Sequence, residues 1–190
     1  MKAYSLNSFY YVTDVADYKS HNKVILSKID EMPNMNRYEE SELINKSDWG
    51  LPKDYSRPYL EYFYKIVGPY MDKMCYFLNC RYVQIHNGWY QQYLTNDKHN
   101  WHNHPNCQFT NVYFVELPEQ SLVTQLYDFV NNKVIDTIEV KEGQILSFPS
   151  NIIHRSDRNE TEKRKTIISF NSSFDGVISK NIDNLVEGKK

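Results

Sequence analysis

The sequence predicts a mainly β protein with helices near its amino end, on three observations. After residue 81, short runs rich in Val, Ile, Tyr and Phe alternate with turn signals. Before it, apolar residues recur at helical spacing behind Pro58. The composition suits strands throughout, with 16 tyrosines and 9 phenylalanines in 190 residues. Short strands at this density read as a sandwich or small barrel, with the helices covering an outer face.

In chain order, "DVADYKSHNKVILSKIDEM" places Val15, Tyr18, Val24, Ile25 and Ile29 loosely on one helical face, predicting a helix over about 15–30. The next stretch, "MPNMNRYEESELINKSDWGLPKDYSRP", scatters prolines and Gly50 among polar residues and reads mostly as loop. Pro58 suits the first position of a helix whose inner face holds Leu60, Phe63, Tyr64 and Val67. Gly68-Pro69 should kink or stop it. Asn87-Gly88, between two strand-like runs in "RYVQIHNGWYQQYLT", signals a hairpin. Further strands are expected in "FTNVYFVELP", "LVTQLYD", "KVIDTIEV", "GQILSFPS" and "KRKTIISFN", with turns at Asn131-Asn132 and Glu142-Gly143. "NIDNLVEGKK" should be a frayed end. One domain over 1–190 is expected: helices and loop over 1–80, a barrel core over 81–172 and an extension over 173–190.

The formal charge is -2 with no basic tail, which argues against a strong, sequence-independent nucleic-acid binder. No apolar run approaches the roughly 18 residues that span a bilayer, and the opening residues lack a signal-peptide core. Three cysteines (Cys75, Cys80, Cys107) resemble no bridged framework, so a reducing, cytoplasmic setting is expected. Exposed edge strands would make a homodimer unsurprising.

"HNWHNHPN" gathers three of the six histidines. Residues two apart on a strand share a face, so His102 and His104 can point together. Such a pair is a start for a transition-metal site, and equally an accident of a polar loop. His154, fifty residues after His104 and a short turn beyond "GQILSFPS", could meet them across a rolled sheet. Three imidazoles on one face of a metal leave the opposite positions free for substrate and oxygen. His99 should point elsewhere if one strand runs through it and His102. His21 and His86 sit in unrelated contexts. Arg164, ten residues after His154, shares a strand face with Thr166, Ile168 and Phe170. Facing inward, its guanidinium would need a carboxylate partner; facing outward, it joins Lys163 and Lys165 in a basic surface patch.

The segment from about Tyr82 to Asn171 resembles the iron(II)- and 2-oxoglutarate-dependent oxygenases, most of all the small ones of bacteria and tailed phages. The matching residues are His102, His104, Pro105 and Asn106, then Val112, Tyr113, Phe114 and Val115. Gly143, Phe148, Pro149, Ser150 and His154 follow, and Arg164, Thr166, Ile167, Phe170 and Asn171 complete the set. The resemblance implies a double-stranded β-helix, the jelly-roll barrel shared with cupins. It also implies iron(II) on His102, His104 and His154, and 2-oxoglutarate held by Arg164 with Thr166 assisting. Tyr113 would add a hydrogen bond if its side chain points inward; in the opposite register Val112 and Phe114 fill the core. The reaction implied is oxidation of a substrate with release of succinate and carbon dioxide, in the cytoplasm of a bacterium or of a phage-infected cell.

The superfamily's usual first motif is H-x-[DE], so His104 leaves the metal one negative charge short. Cupins are the nearest alternative: Gln108 stands where they carry glutamate, and Asn151 where they carry glycine. A cupin without 2-oxoglutarate needs neither Arg164 nor Thr166, and these residues separate the two readings. A third reading is a non-catalytic binding or structural module. Trp89, Tyr93 and Trp101 are candidates to line the mouth. The substrate could be a small molecule, a peptide or a nucleotide.

Overall fold

A computed structural model describes residues 8–33, 37–39 and 42–188. The order begins with β1 (Tyr11–Asp14), α1 (Tyr18–Asp30), β2 (Arg37–Glu39), β3 (Glu42–Ile44), β4 (Lys46–Ser47) and α2 (Pro58–Phe77). It continues with β5 (Tyr82–Tyr93), β6 (Lys98–His102), β7 (Phe109–Glu116), β8 (Gln125–Asp128) and β9 (Lys133–Ile135). Last come β10 (Gln144–Pro149), β11 (Ile153–Ser156), β12 (Lys165–Asp175) and α3 (Ser179–Val186). These strands form two six-stranded sheets, ordered β1-β10-β7-β12-β5-β4 and β2-β3-β6-β11-β8-β9, with every pairing antiparallel. No ladder joins the two among the described residues, so the expected barrel is a pair of facing sheets rather than a closed cylinder.

The first sheet is covered on both faces. Tyr90, Tyr113, Ile145, Ile168 and Phe170 pack against Ile25 and Ile29 of α1 and Phe63, Val67 and Met71 of α2. On its other face Val112, Phe114, Leu146, Phe148 and Ile167 meet Ile44 and Leu126 from the second sheet. Residues on both faces are therefore buried, polar ones such as Asn111, Lys165 and Ser169 among them, and the buried-exposed alternation that marks a one-sided strand is lost in β7 and β12.

Pro58 opens α2 as expected, but Gly68-Pro69 neither stops it nor marks its end, since the helix runs on to Phe77. Asn87-Gly88 is not a hairpin. β5 passes straight through it, paired with β12 on one side, and a bulge leaves His86 as the extra residue between Ile85↔Ser172 and Asn87↔Asn171. Gly88 is there for close approach: a Cβ would lie 2.7 Å from the Tyr64 hydroxyl and 3.1 Å from Leu60 of α2. The expected loop over 32–58 contributes β2, β3 and β4 to the sheets, while 34–36 and 40–41 lie outside the described residues. Only Lys133–Ile135 of "KVIDTIEV" is strand. The tail holds α3 over Ser179–Val186; of the expected frayed end, 189–190 lie outside the described residues. β12 continues to Asp175, three residues past the expected core boundary.

The segment before α2 is tied down by one carboxylate. Asp48, fully buried, accepts hydrogen bonds from Arg57 Nε at 2.8 Å, the Tyr59 hydroxyl at 2.7 Å and the Tyr90 amide at 3.0 Å. Burial raises its pKa, and these donors offset only part of that rise. The anchor holds Trp49 edge-on against Trp89, with ring centroids 4.3 Å apart.

Candidate functional site

His102 closes β6, and His154, a short turn beyond β10 as expected, lies directly opposite it on a further strand, β11. His104 lies past the end of β6, where the His104 amide donates to the Ser150 carbonyl at 3.2 Å. The pair therefore converges through a bend after the strand, not through strand parity. One ligand atom from each of His102, His104 and His154 lies within 4.8 Å of the others. Their ring centroids are 4.2 to 5.3 Å apart.

Each imidazole is held by its Nδ1. His102 donates to the Asn100 carbonyl at 2.7 Å, and His154 donates to the Ile152 carbonyl at 3.0 Å. His104 donates to Oδ1 of Asn171 at 2.7 Å. A carbonyl oxygen can only accept, so Nδ1 carries the proton and Nε2 presents its lone pair. Burial pushes the His102 pKa down to about 4 and lowers that of His104. His154, the most buried, is held well below the ordinary imidazole range by burial and by its two neighbours. All three are neutral at physiological pH, the form that binds metal. This donor set fits a first-row transition metal such as iron(II) or zinc.

His99 also faces this cavity, stacked on His102 with centroids 3.8 Å apart and an interplanar angle of 18°. Strand parity would turn it away. The irregularity between the pairs His154↔His102 and Ser156↔His99 spans three residues of β6 against two of β11, which brings His99 round to the same side.

Arg164 and Thr166 do not face the histidines. Arg164 forms a two-pronged ion pair with Glu116, Nε–Oε2 at 2.8 Å and Nη2–Oε1 at 2.9 Å, and the Thr166 hydroxyl donates to the same carboxylate. The predicted carboxylate partner of Arg164 is thus internal. Thr166, Ile168 and Phe170 do share a face, as expected, but Ile168 and Phe170 pack in the helix-side core. Tyr113 faces the same way: its hydroxyl donates to Oδ1 of Asn22 in α1 at 2.6 Å, and Val112 and Phe114 fill the space between the sheets.

The residue between them takes the opposite face. Lys165 pairs with Tyr93 across the ladder, as Ile167 does with Gln91 and Ser169 with Trp89, and those four residues and Tyr93 line the cavity beside the histidines. Lys165 is 1% exposed; its Nζ donates to Oγ of Ser156 at 2.8 Å and lies 5.0 Å from the centre of the Tyr93 ring. Burial alone, with no carboxylate offsetting it, lowers its pKa to about 7. Of the aromatics expected at the mouth, Trp89 and Tyr93 line the cavity. Trp101 turns outward, under the Arg155 guanidinium at 4.6 Å and beside Tyr127.

No protein-family model matches the sequence, and no curated protein is similar to it. Solved structures do share its fold. A viral collagen prolyl hydroxylase from Paramecium bursaria Chlorella virus 1, solved with 2OG, is 11% identical over 86% of this chain and 95% of its own, at a TM-score of 0.56. A Pseudomonas putida prolyl-4-hydroxylase is 9% identical over 88% and 92%, at 0.61. The non-heme α-ketoglutarate-dependent epimerase SnoN from nogalamycin biosynthesis is 10% identical over 87% and 77%, at 0.62. The chain has the fold of 2OG-Fe(II) oxygenases.

Proposed function

We propose that this protein is an iron(II)- and 2-oxoglutarate-dependent oxygenase of jelly-roll architecture. His102, His104 and His154 hold the metal, and Lys165, not Arg164, anchors the co-substrate. The observation that carries this reading is a buried lysine with no carboxylate partner among the described residues, on the same inner face as three preset imidazoles. A desolvated ammonium is costly unless an anion joins it. From Ser169, beside the metal site, to Lys165 is about 13 Å of strand, most of which a lysine side chain and a five-carbon diacid would span. Arg164 was the residue expected to separate this reading from a cupin; Lys165 now makes that distinction from the opposite face of β12.

Bound here, iron(II) and the 2-oxo acid would supply oxygen activation, with succinate and carbon dioxide as the products of the co-substrate. The chain's own residues set the stage. Asn100, Ile152 and Asn171 fix the imidazole tautomers. Lys165 neutralises and orients the distal carboxylate, entering between Tyr93 and Ser156. Ile167 and Val112 keep water from the inner wall. Gln91, reached by the Ser169 hydroxyl at 3.4 Å and set 3.4 Å from Nδ1 of His99, gives the wall one polar stripe. Solved structures of this fold include both a hydroxylase and an epimerase, so the outcome of oxidation is a property separate from the fold.

Anaerobic calorimetric titration of the iron-loaded protein with 2-oxoglutarate tests the proposal. Saturable binding that Arg164→Ala keeps and Lys165→Met loses is the expected result. No binding by a metal-loaded sample overturns it in favour of a cupin-type enzyme.

A further inference from the structure

The three metal-site histidines are not held alike. His102 and His154 each donate Nδ1–H to the carbonyl two residues earlier, at Asn100 and Ile152. Those acceptors belong to the local backbone, and no side-chain substitution removes them. His104 has no such bond. Its segment has left β6 and is tethered through its amide to Ser150, and its Nδ1–H goes to the Asn171 amide oxygen, 67 residues away.

Asn171 is placed for this by the β5–β12 bulge. The ladder runs in step from Lys165↔Tyr93 to Asn171↔Asn87, then slips at Ser172↔Ile85. On the in-step side Lys165, Ile167, Ser169 and Asn171 share the inner face, so Asn171 is the last inward residue before the slip. It is 7% exposed, and its 2.7 Å contact with His104 is short for a neutral hydrogen bond.

We infer that Asn171 is the positioning residue that makes His104 a metal ligand, by fixing its tautomer and ring orientation from the opposite sheet. The inference rests on the metal-centre part of the proposed function and goes beyond it. Position 104 carries an imidazole where a carboxylate would need no such partner, because a carboxylate presents a lone pair however it turns. An imidazole with a free Nδ1 can flip or take the other tautomer, placing N–H where the metal requires a lone pair. Asn171 removes that freedom, and as a neutral acceptor it leaves His104 a neutral ligand.

The test is cobalt(II) binding by the full-length protein, read from visible absorption and from the metal-induced rise in Tm, for wild type, Asn171→Leu and Asn171→Asp. Asn171→Leu should weaken cobalt affinity about tenfold to a hundredfold. Asn171→Asp, which accepts the same N–H and adds charge, should restore affinity to the wild-type level or better. The Tm of each metal-free variant separates positioning from folding: a merely structural role would shift it for both variants and leave cobalt affinity intact. Asn171→Leu binding cobalt within twofold of wild type, or Asn171→Asp as weak as Asn171→Leu, would overturn the inference. Wild type binding no cobalt would overturn the metal-centre reading itself.

Discussion

Replacing Lys165 with methionine should make the metal-free protein more stable while sharply weakening its affinity for 2-oxoglutarate. The pKa of Lys165 falls from the ordinary 10.5 to about 7 through burial. The unfolded chain thus binds a proton across that window that the folded chain gives up. The resulting penalty is roughly 4–5 kcal/mol at neutral pH. Methionine keeps the length of the side chain and removes the charge. It also forfeits the Ser156 hydrogen bond and the contact with the Tyr93 ring, about 1 kcal/mol each. The net gain is about 2–3 kcal/mol, or roughly 5–10 °C in Tm for a chain of this size. The pH dependence follows from the direction of the shift. The penalty is complete below pH 7 and vanishes as the pH rises toward 10.5, so the variant's advantage is widest in acid and closes in alkali. Binding should run the other way: 2-oxoglutarate needs the charged amine, so wild-type affinity should fall about tenfold per pH unit above 7. Losing that ion pair should weaken binding by about 2–5 kcal/mol. Differential scanning calorimetry from pH 6 to 10, paired with anaerobic titration at matched iron occupancy, reads both effects. A variant that is no more stable than wild type at pH 6, or that binds 2-oxoglutarate as tightly as wild type, would refute the assignment.

Arg164→Ala should leave 2-oxoglutarate affinity within about twofold and cost less than about 1 kcal/mol, because its ion pair with Glu116 is partly exposed; calorimetry and urea unfolding check both. The metal-free protein should lose stability as pH falls from about 6.5 toward 4, since unfolded histidines take up protons that buried His102 and its neighbours refuse, and should hold it above 6.5. A shallower slope in His102→Ala, followed by thermal unfolding, is the control. Asp48→Ala should cost about 3–5 kcal/mol in urea, because it removes the charge that balances Arg57 and leaves the buried Tyr59 hydroxyl and Tyr90 amide without their acceptor, and it should increase quenching of Trp49 fluorescence by acrylamide.

The sequence made the three histidines legible because ligand residue types are chemically scarce and their order along the chain was informative. The reason they converge was less visible: His104 arrives through a bend past β6, and His99 comes inward through an irregular pairing that no spacing rule reports. Arg164 was grouped rightly with Thr166 but expected to face the histidines, whereas both turn to Glu116. Which face met the metal was the open question, because β12 is buried on both sides and hydrophobicity marks neither as inner. Lys165 was read only as part of a surface patch, and Asn171 only as part of the resemblance, for the same reason. A lysine read next to Lys163 and Arg164 looks like a solvated patch until the sheet folds it inward. Asn87-Gly88 misled through a different route, since the glycine serves the close approach of α2 rather than a reversal of the chain.

β12 occupies the middle of the first sheet, between β7 and β5, yet it is the last of the strands to be synthesised. While the chain grows, a vacant slot must persist between two strands already made, with unsatisfied hydrogen-bonding edges on either side. Lys165 and Asn171 enter with the strand that fills the slot. The histidines therefore exist before the site does, and on the proposed reading a newly made chain would complete its metal centre only after residues 165–171 have emerged and docked. That ordering would delay metal capture until the scaffold is finished. It also makes the interval before β12 docks the period in which this protein is most exposed to edge-to-edge aggregation.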